Sequence, residues 1–339
     1  MKKKETTEYI GYWLRRFLTE YVTKMRNLSS NTQKSYRDTF RLLLIDASRQ
    51  LRKGVDELLL EDITNSVVTA FLNKLESERK CSVSTRNQRL AAIRALAKYI
   101  SMNCPQSIDW CRGIRDIPSK KAAKKLIHYL EKDEMNALLD APGTDTSLGA
   151  RDTAMLLFLY NTGARASECV QILIRDVTMP ERKGESGSVL IMGKGNKKRR
   201  CPLWWKTCQA LKNVIGSRSG EKPLFVNRVG QPFTRHGIFQ MVARYAAEIE
   251  KDFPSIKDKR VTPHTIRHTT ATHLLQAGVD FDTIRIWLGH VSINTTHVYA
   301  EVSMEMKRMA LEQYEAPDVT TKVSHWRDNK KIMDFLNSI

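Results

Sequence analysis

The stretch TPHTIRHTTATHLL, Thr262 to Leu275, gathers His264, Arg267 and His268 into what reads as the opening turns of a helix. Thr262 suits an N-cap and Pro263 the first helical position. Helical spacing then puts positions 264, 267, 268, 271 and 275 on one side. A zinc site of the H-E-x-x-H kind lacks its glutamate base here, because the sequence is HTIRH and adds a cation where ligands should converge. Packing suits His268 and His273, which read as structural. It suits Arg267 poorly, since a guanidinium stays charged and needs partners wherever it sits. The third chemistry is anion binding, which the free N–H groups and dipole of a helix start already favour.

Other residues of this kind are dispersed along the chain. In TGARASE, Gly163 permits a tight reversal and Arg165 projects from the turn that opens the next helix; Glu168, three residues on, is placed to orient Arg165 or to cap that helix. The run MGKGNKKRR resembles a phosphate loop only superficially. Gly187 lies one residue too far from Gly193-Lys194 for a Walker motif, and Gly195 stands where Ser or Thr is required. Its pattern is strand–turn–strand, so Lys194 reads as a lysine at a β-turn tip. Gly289 ends a helix with His290 just past it, and Tyr299 follows nine residues later; alone, Tyr299 reads as a half-buried aromatic.

These residues need a scaffold, and the periodicity predicts a mainly α fold with one small antiparallel β-sheet. Four amphipathic helices account for the first hundred or so residues: one over about Tyr9–Val22, one from Ser30 with Ser30 and Gln33 as a capping box, one after Thr64 carrying Val67, Phe71 and Leu75, and one burying Leu90, Ile93, Ala97 and Ile100. We assign 1–112 to a helical domain, 113–125 to a basic linker broken by Pro118, 126–316 to an α-rich domain, and 317–339 to a tail whose Ile332, Phe335, Leu336 and Ile339 suggest a further helix. In the second domain, SECVQIL resumes helix and GSVLIMGKGNKKRRCPL forms a hairpin.

The formal net charge of +19 predicts a polyanionic partner, nucleic acid ahead of a membrane surface. Arg86, Arg89, Arg94 and Lys98 on the fourth helix, Lys120, Lys121 and Lys124 in the linker, and Lys197 and Lys198 in the hairpin are candidate DNA-backbone contacts. No apolar run approaches the ~20 residues that cross a bilayer, and no apolar segment follows the charged N-terminus as in a signal peptide. The six cysteines have no CxxC spacing, which points to reduced thiols, a cytoplasmic protein and no metal.

Taken in order, Arg165, Lys194, His264-x-x-Arg267, His290 and Tyr299, with the local sequences TGARASE, GKGNKKR, PHTIRHTTATHLL, WLGH and TTHVYAEVS, resemble the tyrosine recombinase (phage integrase) family. The resemblance runs over roughly 8–316, includes the family's core-binding domain, and favours a simple Cre/Xer-like two-domain layout. It implies site-specific cutting and rejoining of double-stranded DNA, in integration or excision of a mobile element. Tyr299 would be the nucleophile forming a 3′-phosphotyrosine, Arg165 and Arg267 a bidentate clamp on the phosphate, and Lys194 the proton donor to the leaving 5′-oxygen. His264 would assist as general acid/base, His290 would hydrogen-bond the phosphate, and Glu168 would orient the shell. No cofactor is required. The helix after Tyr299 implies a homo-oligomer, a tetramer on two sites, or assembly with related recombinase subunits. Three other readings carry part of the pattern: a type IB topoisomerase-like enzyme, a non-catalytic DNA-binding relative, and a zinc hydrolase using His264 and His268.

Overall fold

The computed structural model describes residues 6–122, 128–182, 185–193, 195–289, 334, 337 and 338. Lys124, Lys194, His290, Tyr299 and the expected helices after it lie outside the described residues. The chain divides into two compact units, Met1–Lys125 and Leu126–Ile339. The architecture is mainly α with one small three-stranded antiparallel sheet, as the periodicity predicts.

The first unit is all helical. Its α1 (Ile10–Arg16) runs into a π-helix (Phe17–Met25), followed by α2 (Ser30–Leu51), α3 (Asn65–Ser77), α4 (Val83–Asn103) and α5 (Ile108–Asp116). Side-chain caps fix three starts: Ser29 accepts from the Thr32 amide, Thr64 from that of Val67, and Ser82 from that of Thr85. The α2 cap is therefore Ser29, one residue before the expected Ser30; of two adjacent serines, the one with extended backbone takes the role. Phe17 is fully buried at the centre of the core, its ring 5.6–5.8 Å from those of Tyr21, Tyr36, Phe40 and Tyr99.

Two features depart from the sequence reading. Residues 113–116, expected in the linker, form the last turn of α5, and Cys111, Ile114 and Ile117 are buried in this unit's core. Beyond them the chain is stapled to α4. Arg86 donates to the Pro118 carbonyl at 3.0 Å, Asn87 exchanges two hydrogen bonds with the Lys120 backbone at 2.8 and 3.1 Å, and Arg94 donates to the Ile117 carbonyl and the Ser119 hydroxyl. The expectation that Arg86 contacts DNA is corrected: it is 3% exposed and its guanidinium serves the chain's own backbone. Lys98 and Lys121 are exposed, as a backbone contact requires.

In the second unit α6 (Lys132–Asp140) precedes α7 (Ser147–Thr162), whose Ala154 to Leu159 are all buried. The single-turn α8 (Ala166–Cys169) follows, then β1 (Val177–Thr178), β2 (Gly187–Met192), β3 (Lys198–Leu203), α9 (Trp205–Ile215), α10 (Arg235–Ile249), the short α11 (Ile256–Lys259), α12 (Pro263–Gln276) and α13 (Phe281–Leu288). SECVQIL thus supplies one turn rather than a long helix. The hairpin pairs Gly187 with Leu203 and Met192 with Lys198, and β1 adds a third strand to β2 that periodicity over two residues could not signal. Asp152 of α7 has no exposed surface; it accepts from Arg151, Arg244 and the Tyr245 hydroxyl, so α7 and α10 share one buried charge fully satisfied by hydrogen bonds.

Candidate active site

Helix α7 ends in Gly163, whose φ of +58° is the left-handed conformation that glycine adopts without strain. A Cβ there would lie 2.3 Å from Leu288 Cδ2, so the turn also depends on a close approach to α13. Arg165 leaves this turn as the N-cap of α8. Its Nη1 donates to Glu168 Oε1 at 2.6 Å, and its backbone amide donates to Glu168 Oε2 at 3.0 Å. Glu168 is only 4% exposed and so both orients Arg165 and caps the helix, the two alternatives its spacing left open.

A second arginine completes the carboxylate's shell. Arg199 Nη2 donates to Glu168 Oε2 at 2.7 Å and Arg199 Nε to the Trp287 carbonyl at 2.9 Å. Burial pushes the Glu168 carboxyl up, but the bond and charge of Arg199, joined by Arg165, outweigh it and hold the group below the usual glutamate range. In the sequence Arg199 is one of several hairpin cations. Strand alternation was the signal that separates it: Arg199, Cys201 and Leu203 face inward, while Lys197, Lys198 and Arg200 are exposed.

Helix α12 begins as its sequence predicts, with Thr262 accepting from the Thr265 amide and Pro263 in the first turn. Arg267 is 1% exposed. Its Nη1 donates to the Gly163 carbonyl at 2.6 Å and Nη2 to the Leu288 carbonyl at 2.7 Å, bringing together the ends of α7 and α13. His264 lies one turn earlier at the surface. Desolvation, then the charges of Arg267 and Arg165, hold its imidazole below the usual range. The His268 ring packs edge-on against it at 4.3 Å and is pushed down to about 4 by burial, His264 and Arg267. His273 Nδ1 is 2.7 Å from the Tyr160 hydroxyl, a packing contact as expected.

Arg165 and His264 line one cleft of ≈ 580 Å³, with Ser167, Thr262 and, from the first turn of α10, Arg235, His236 and Phe239. The α10 residues were missed: FTRHGIF reads as a helix start, and its facing a cleft is a tertiary fact. The structure therefore gathers Arg165, Glu168, His264 and Arg267 around the starts of α8 and α12. Gly193 precedes Lys194 and Gly289 precedes His290 in sequence; both glycines border Arg199, since a Cβ on either would lie 3.5 or 3.1 Å from Arg199 Nη1. Such a set of fixed cations and neutral imidazoles at an open cleft is suited to binding an anionic oxygen cluster and moving protons beside it.

Residues 128–306 match the phage integrase family, and 14–101 match the phage integrase N-terminal SAM-like domain. The chain belongs to the phage integrase family. This recombinase is 36% identical to the putative integrase/recombinase y4rC of Sinorhizobium fredii, over 96% of its own length and 97% of the relative's. It is 31% identical to the tyrosine recombinase XerC of Pelobacter propionicus, over 83% of its length and 87% of that protein's. Its fold matches the XerH site-specific recombinase bound to palindromic difH substrate with a TM-score of 0.65 at 21% identity, covering 92% and 98% of the two chains. The recombinase is thus a site-specific, tyrosine-type enzyme of DNA strand breakage and rejoining, and the topoisomerase-like and non-catalytic readings are not favoured. No helix among its described residues is long and apolar enough to cross a membrane.

Proposed function

We propose that the recombinase cleaves each strand at a phosphate held by Arg165 and Arg267, with Tyr299 as nucleophile. The observation that carries this reading is Arg165 locked by Glu168 at the mouth of the cleft that His264 also lines. Tyr299 attacks phosphorus in line, a P–O bond to the phenolate oxygen forms, and the bond to the 5′-oxygen breaks. Charge gathers on the nonbridging oxygens, where two permanent cations stabilise the transition state more than the ground state. A free tyrosine is about 0.1% ionised at neutral pH; the nearby cations favour its phenolate, and a neutral His264 can accept its proton. Lys194 protonates the departing 5′-oxygen, and His290 hydrogen-bonds the phosphate. The phosphotyrosine retains the energy of the broken bond, so a 5′-hydroxyl from another duplex can reverse the attack, which is strand exchange.

The domain limits that go with this reading, with the end of α5 moved out of the connection, are 1–117 for core binding, 118–125 for the connection, 126–316 for catalysis and 317–339 for the tail. Arg89, Arg94, Lys98, Lys120, Lys121, Lys197 and Lys198 contact the DNA backbone, with Lys124 assigned by sequence alone. A tetramer on two sites, or a mixed assembly with related subunits, carries out integration or excision of a mobile element in the cytoplasm. The integrase naming of the 36% identical relative supports the integration reading, and the six free cysteines the compartment.

The test is a covalent trap. A duplex sequence selected from a random pool by binding to the recombinase is made as a series, each member nicked at a different position, and incubated in chelator. A covalent protein–DNA adduct lost in Tyr299→Phe is expected. An adduct that persists in that variant reassigns the nucleophile, and none from the native protein on any member overturns the reading.

A further inference from the structure

We propose that Arg199 is a positioning residue for the cleavage step, tying Glu168, and through it Arg165, to the C-terminal end of α13. The proposal rests on the assignment of Arg165 and its neighbours above, and deepens it. Three observations point to Arg199. Its two hydrogen bonds use different nitrogens of one planar fork, so the Glu168 carboxylate and the Trp287 carbonyl are fixed relative to one another. The side chain is 8% exposed and its carboxylate partner 4%, so the pair is screened from water. The same guanidinium is flanked by Gly193 and Gly289, each of which immediately precedes a proposed catalytic residue in sequence. A Cβ on Gly289 would also come within 3.2 Å of Arg199 Cδ, so the missing side chain is what leaves space for the arginine there.

The consequence for Arg165 is direct. Glu168 holds Arg165 through Oε1 most strongly while it is ionised, because the neutral acid keeps an acceptor but loses the charge of the pair, and Arg199 occupies Oε2. The charged or titratable groups facing Glu168 among the described residues are Arg165 on its own turn, Arg199 and the Cys201 thiol on β3, and the Cys169 thiol beside it. Without Arg199, Arg165 alone opposes the burial that favours the protonated acid. Protonation would then weaken the grip on Arg165 as the pH falls.

The experiment compares Arg199→Lys, Arg199→Met, Glu168→Gln and the Arg199→Met/Glu168→Gln pair with the native enzyme, all at full length. Adduct formation on the nicked duplexes, affinity for the same unnicked duplex, and thermal unfolding are each measured from pH 5 to 9. In Arg199→Met we expect cleavage down about 100-fold with affinity within about threefold. Its cleavage should also fall more steeply below neutral pH than the native rate does, and that additional acid limb should vanish in the double variant. Arg199→Lys keeps the charge without the fork and should cleave roughly tenfold slower with no new acid limb; it remains informative if the methionine variant does not fold. Native rates in a folded Arg199→Lys or Arg199→Met, or a loss that follows unfolding alone with no shifted acid limb, would overturn the proposal. Failure of the native enzyme to form any adduct would overturn the underlying assignment instead.

Discussion

Arg267 reaches the carbonyl of Gly163 at 2.6 Å, across 104 residues of sequence, from a side chain that is 1% exposed. The bond joins the second turn of α12 to the turn that presents Arg165, while the second bond of the same guanidinium reaches Leu288. Arg267 therefore holds the backbone that carries other candidate residues, in addition to its proposed role at the phosphate. Substitution by lysine should lose both effects. One carbonyl is left without its donor in a buried place, which costs about 1–3 kcal/mol of stability, and cleavage should fall by roughly 100-fold or more. Calorimetry and the adduct assay, run on the same preparation, separate the two losses.

Gly163→Ala should destabilise the second unit without altering any charged group. The left-handed backbone and a Cβ 2.3 Å from Leu288 both oppose it, and the expected cost is about 2–4 kcal/mol, read as a lower unfolding midpoint. Gly143, also left-handed but with open space around its Cβ position, is the control: Gly143→Ala should cost about 1 kcal/mol.

His268 gives a pH dependence of known sign. Its folded value of about 4 lies below the ordinary imidazole value of 6.5, so between these two the unfolded chain binds more protons than the folded one. The contribution to stability is fully present above pH 6.5 and is lost as the pH falls towards 4. His264 and His273 are shifted in the same direction, so the native protein should lose stability steeply over this window. His268→Asn should reduce that slope by up to one proton. An unchanged slope would place the shift elsewhere.

Two cations of α4 should behave oppositely. Arg86→Ala should lower the unfolding midpoint of the first unit, at a cost of about 1–3 kcal/mol, because it frees the Pro118 carbonyl, and should leave the salt dependence of DNA binding unchanged. Lys98→Ala should leave stability unchanged and reduce the slope of log affinity against log salt by roughly 0.9, the signature of one lost phosphate contact.

How much of this was legible in the sequence follows the range of the forces. The start of α12 was readable because Thr262 and Pro263 act on amides within three residues. The link between Arg165 and Glu168 was readable because both lie on one turn. Helix α5 was obscured by Arg112, Arg115 and the nearby Pro118, although Cys111, Ile114 and Ile117 carry an apolar spacing. Arg199 was hidden in a run of cations, marked only by sharing the face of β3 that carries Cys201 and Leu203. The grip of Arg267 on Gly163 and Leu288, and the meeting of α10 with the cleft, are tertiary contacts with no local signal.

The acceptors on which Arg267 closes are main-chain carbonyls, a group that every amino acid supplies. Side chains around the two helix ends can therefore diverge among descendants of this chain without loosening the grip. What lineages must preserve is a handedness of backbone at Gly163 and Gly289, the two left-handed ends that Arg267 and Arg199 adjoin. Inheritance at this site should accordingly be strictest where there is no side chain at all.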